Sequence, residues 1–85
     1  MIAILFFNKK RLPLNVAVKM ALSQYRSAYH TAGTEPGEVR LNPAELPPER
    51  ELYGLPVLPD PQVRPNHIRI AACVEETTYV PADPV

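Results

Sequence analysis

Residues 14–32 carry the pattern that most constrains what this chain can become. Leu14, Val18, Ala21, Leu22, Tyr25, Ala28, Tyr29 and Ala32 recur at three- and four-residue steps, while Asn15, Lys19, Ser23, Arg26, Ser27 and His30 fall on the other side. That period predicts an amphipathic helix with one apolar stripe. Pro13 suits the helix entrance, where its missing N–H costs nothing, and Gly33 is placed as the residue just past the end. No second stretch has a comparable helical period, so the stripe must be buried on strands or on another chain.

Ile2-Ala3-Ile4-Leu5-Phe6-Phe7 is a continuous apolar run and reads as a strand buried on both faces, central under the helix. One helix covers one side of a sheet. The second face of this strand must then be covered by the proline-rich arm or by another subunit, which makes Ile2, Ile4, Phe6 and Phe7 the candidate interface residues. With 85 residues the chain holds one domain, read here as residues 1–80 followed by a loosely held tail at 81–85. A domain of that size buries only about 60–65% of its unfolded surface, and small domains often add disulfides, a metal or a partner chain. Cys73 is the single cysteine, so no intrachain disulfide forms and no cysteine-based zinc site is expected. Oligomerisation is the remaining compensation.

Beyond the helix, Thr34-Glu35-Pro36-Gly37 is a turn, and Glu38-Val39-Arg40-Leu41 alternates as a half-buried strand. Asn42-Pro43-Ala44-Glu45 has the residue order of a helix start, which Pro47-Pro48 stops at once, with a further turn possible over residues 49–52. Leu55-Pro56-Val57-Leu58 is a short strand whose Pro56 cannot donate to a ladder, which places it at an edge or makes it irregular. His67-Ile68-Arg69-Ile70-Ala71-Ala72 alternates again, and Tyr79-Val80 offers a last short pairing. Nine of the 11 prolines lie between Pro43 and Pro84, which restricts this half to short strands joined by stiff arms. The expected fold class is α+β, with one main helix on a small, mostly antiparallel sheet of three to five strands and proline-rich arms.

Nine basic and nine acidic residues cancel, so no global field draws the chain to nucleic acid or to an anionic membrane. The apolar opening is too short for a membrane span and lacks the marks of a signal peptide, so a cytoplasmic protein is expected. Candidate chemistry is sparse. Alternation sets Glu38, Arg40, His67 and Arg69 on the face opposite the aliphatic residues. His67 and Cys73 are about 20 Å apart along an extended strand at roughly 3.3 Å per residue, too far for a nucleophile and base. His30 has no partner arranged by the sequence. With two histidines and no cysteine cluster, neither a metal nor another cofactor is expected, and no enzyme. Lys9, Lys10 and Arg11 form a basic loop, and with Arg40 and Arg69 they are the candidate anion or nucleic-acid ligands. Cross-strand pairing with acids such as Glu38 is the competing role for the two strand arginines.

Tyr25 and Tyr29 on a helix, then Val39-Arg40-Leu41-Asn42-Pro43-Ala44-Glu45-Leu46, then Leu52-Tyr53-Gly54-Leu55-Pro56-Val57, then His67-Ile68-Arg69-Ile70, come in a telling order. Residues 20–72 resemble the axial-domain segment of tailed-phage major capsid proteins. The chain departs from that family in lacking its long spine helix and extended loop, so it cannot build a shell alone. The resemblance implies a phage-derived module that meets its own copies around a symmetry axis. The expected function is a non-enzymatic, self-associating assembly or interaction module whose partner is a second copy or another protein. A small nucleic-acid-binding accessory protein is the alternative.

Overall fold

A computed structural model describes residues 3–72 of the chain. Ile2, Cys73, the Glu75-Glu76 pair, the expected Tyr79-Val80 pairing and the 81–85 tail lie outside the described residues. Strand β1 (Ile4–Asn8) leads to helix α1 (Leu14–Ala28), then β2 (Pro36–Leu41), a 3-10 turn at Pro43–Glu45, β3 (Glu51–Leu52), β4 (Leu55–Pro59) and β5 (His67–Ala72). The strands form one mixed sheet in the order β1-β5-β2-β4-β3. Three of the four pairings are antiparallel, and β2 with β4 is parallel. The class is therefore α+β, one helix on a mostly antiparallel five-stranded sheet.

The core lies between α1 and one face of the sheet. Ala17, Val18, Ala21, Leu22 and Tyr25 supply the helix side. Val39, Leu41, Val57, Ile68 and Ile70 supply the sheet side, with Leu5 and Phe7 packed at its margin. Each large aliphatic side chain buried here contributes about 1.5–3 kcal/mol. Ala17 and Ala21 carry no side chain beyond Cβ, which lets the helix approach the strands closely. Tyr25 and Tyr29, one turn apart, pack ring against ring with centroids 5.0 Å apart and planes tilted by 45°. Their hydroxyls donate to consecutive carbonyls at the start of the first strand, Tyr25 to Ala3 at 3.4 Å and Tyr29 to Ile4 at 3.1 Å.

Several expectations from sequence are corrected. The helix stops at Ala28 rather than Ala32, with Tyr29 extended as its C-cap. An apolar position can also be satisfied in an extended link, and Tyr29 stays packed on the core after the helix ends. Gly33 is thus not the helix stop, and its φ of +88° serves the turn that follows, where the Thr34 hydroxyl donates to the Thr31 carbonyl at 2.6 Å. The first strand is not central; it forms the outer edge of the sheet and Phe6 is 60% exposed, so it is not buried on both faces. β4 is not an edge strand despite Pro56. Its ladder with β2 begins at Val57, so the missing N–H of Pro56 removes no bond there. Residues 51–52 pair as β3 instead of adding a helical turn.

A bulge sets the face of Glu38. Pro36 pairs with Ala72 and Glu38 with Ala71, leaving Gly37 as the extra residue. Without it Glu38 would stand opposite Ile70 and point into the core. One inserted residue moves it to the open face and brings Val39 and Leu41 inward, as strand parity requires.

Candidate interaction surface

The face away from α1 follows from the register. Ile4, Phe6 and Asn8 of β1 stand opposite Ala71, Arg69 and His67 of β5, and Glu38 and Arg40 of β2 stand opposite Ala71 and Arg69. The polar residues on this side therefore meet as the alternation requires. Glu38, only 8% exposed, binds Arg40 through Nε at 2.7 Å and Arg69 through Nη1 at 3.2 Å. Arg40 also reaches Asp60 at 3.4 Å. The Glu38 hydrogen bond raises the Arg40 guanidinium pKa above its ordinary value, against the opposing effect of burial and with Asp60 assisting. Two cations and two anions balance in this network, so Arg40 and Arg69 have their charge satisfied internally.

The outer edge of β1 is different. The bonds from Ala72 N–H to the Ala3 carbonyl (3.1 Å) and from Lys9 N–H to the Asn66 carbonyl (2.8 Å) fix the phase of the β1–β5 ladder. Odd-numbered residues turn their peptide groups to β5, so Ile4, Phe6 and Asn8 turn theirs outward. The Ile4 carbonyl takes the Tyr29 hydroxyl. Among the described residues nothing pairs with the outward N–H and carbonyl of Phe6 or Asn8. The strand carries no proline, no charge and no bulge, the usual protections of an exposed edge. Of the candidate interface residues, Ile4 is half-buried on the open face, Phe6 is exposed there, and Phe7 faces the core.

Lys9, Lys10 and Arg11 lie in the turn after β1, with Lys10 at φ +53° and its N–H capped by the Asn8 side chain at 3.0 Å. The Lys9–Asn66 backbone bond docks this turn beside the 60–66 loop that feeds β5. At that end of the open face Phe6, Gln62, Arg64 and His67 line a concavity of about 360 Å³. Arg64 and the Phe6 ring were not singled out as ligand groups by sequence reasoning. Only the chain's return from β4 to β5 carries Arg64 to Phe6, and no local pattern records that. His30 follows Tyr29 at the Ile4 end of β1, whereas His67 pairs with Asn8 at the other, so the length of the strand separates the two imidazoles. No three His, Cys, Asp or Glu side chains come together among the described residues. No helix there is long and apolar enough to cross a membrane.

An α+β protein with an unguarded edge strand is the class that this fold and surface define. Comparison with protein-family models, with curated proteins and with solved structures returns no match.

Proposed function

We propose that this protein is a non-enzymatic interaction module that self-associates through β1, a second copy adding its own β1 antiparallel to the first. The observation carrying this reading is the outward, unpaired peptide edge of Phe6 and Asn8 on an apolar strand without protection. Extended edges of this kind recruit strands through main-chain hydrogen bonds. The antiparallel sense follows from charge. It places the two Lys9–Arg11 turns at opposite ends of the shared ribbon, whereas a parallel pair would set them side by side. Pairing Phe6 with its symmetry mate aligns Ile4 with Asn8 of the second copy and joins the two sheets into one. The cytoplasmic, phage-derived assembly role that goes with this reading rests on the sequence alone, on the resemblance over residues 20–72 and the absence of signal-peptide marks.

Light scattering on the eluted protein tests this reading. Wild type is expected as a dimer and Phe6→Pro, which deletes an outward N–H, as a monomer. A wild-type monomer at high micromolar concentration overturns it.

A further inference from the structure

We infer that the concavity lined by Phe6, Gln62, Arg64 and His67 binds one nucleotide unit of a single-stranded nucleic acid, with the base on the Phe6 ring and the backbone phosphate on Arg64. Three observations converge. The Phe6 ring is 60% exposed on a sheet face, beside a concavity of about 360 Å³, the size of a small-ligand pocket. A flat aromatic presented on a rigid sheet stacks any base, since every base offers a π-face. Arg64, unlike Arg40 and Arg69, has no carboxylate within ion-pair distance among the described residues, so its guanidinium is available to a phosphate.

The polar lining is held in place. His67 Nδ1 lies 2.9 Å from the Pro65 carbonyl, which makes that nitrogen the donor and turns Nε2 to the other side of the ring as the second polar atom. The Gln62 backbone N–H is capped by Asp60 at 2.9 Å, which fixes the backbone position from which the Gln62 side chain offers an amide to a base edge.

The charge around the site extends past one nucleotide. Lys9 is bonded through its backbone to Asn66, so the Lys9–Arg11 turn borders the Arg64 loop. Nearby Glu45 is engaged by the Asn66 N–H at 2.9 and 3.0 Å, and Asp60 by Arg40. The turn beside the Arg64 loop thus adds Lys10 and Arg11, both exposed, while Lys9 Nζ donates to the Leu12 carbonyl at 3.5 Å. That spread of charge selects a strand over a free nucleotide, which would leave Lys10 and Arg11 unused. The inference does not depend on self-association, because the ring stands on the sheet face while the pairing groups lie in the sheet plane.

The test is fluorescence anisotropy of labelled oligo(dT) and oligo(U), about eight nucleotides long, titrated with the full chain at low salt. Wild type is expected to bind, and Phe6→Ala to weaken binding by about tenfold or more. Arg64→Ala should also weaken it and lower the slope against log salt by about one. Arg26→Ala, a charge change on the helix, should leave binding unaltered. Circular dichroism of each variant checks that the fold is kept. Absence of binding overturns the inference, as does binding that survives both Phe6→Ala and Arg64→Ala in folded protein. Equal competition by uridine monophosphate overturns the strand and leaves a free-nucleotide pocket. A monomeric wild type that still binds supports the site while removing the proposed dimer.

Discussion

Arg40 and Arg69 stand directly opposite each other on neighbouring antiparallel strands, and the carboxylate of Glu38 holds both. Two like charges in that register repel, so the face is stable only because a bulge at Gly37 delivers an acid to the same side. The charge that sequence alone offers to an external anion is thereby spent inside the sheet.

Glu38→Ala removes the shared acceptor and leaves two facing guanidinium groups. It is expected to cost about 1–3 kcal/mol in urea denaturation. Adding Arg69→Thr should recover part of that loss, and strict additivity in the cycle would contradict the shared role of Glu38. The raised Arg40 pKa contributes stability that is complete below the ordinary arginine range and lost only as pH climbs through the raised value. The cost assigned to the Arg40 pair should therefore stay constant across neutral pH.

Proline scanning of the first strand separates its two sides. Leu5 turns its N–H toward Ile70, whereas Phe6 turns its N–H outward. Leu5→Pro should lower stability by about 2 kcal/mol or more through a broken ladder bond and an orphaned carbonyl. Phe6→Pro should remain folded with a much smaller loss. Melting curves that rank the two in reverse would refute the phase assigned to this strand.

The hairpin between β3 and β4 turns on Tyr53 and Gly54, at φ +53° and +79°. Positive φ at both central positions is the signature of a two-residue type I′ turn. A Cβ at Gly54 would meet no atom within 4 Å, so only backbone conformation opposes substitution. Gly54→Ala is expected to cost about 1 kcal/mol by thermal denaturation, and an unchanged melting temperature would count against the turn.

Ala21 is fully buried on the helix face. Ala21→Leu inserts three carbons where the helix meets the sheet and should destabilise by about 1–3 kcal/mol. Chemical denaturation checks it, and a stabilised variant would mean unfilled space beneath the helix.

The residues themselves determined the local pieces. The spacing of Leu14, Val18, Ala21, Leu22 and Tyr25 makes a helix in any context that buries one side. The alternation of Val39 with Leu41, and of Ile68 with Ile70, makes strands with one apolar face. Asn42 and Pro43 start the short 3-10 turn, with the Asn42 side chain accepting the Ala44 N–H at 2.9 Å. Tertiary structure decided everything that depends on neighbours distant in sequence. It placed the greasy first strand at the edge and Pro56 inside, because strand order is set by which ladders can coexist, not by how apolar each segment is. It closed Arg40 and Arg69 onto Glu38, and it carried Arg64 back to Phe6. Periodicity reports which side of an element is buried; only the assembled chain reports what lies beside it.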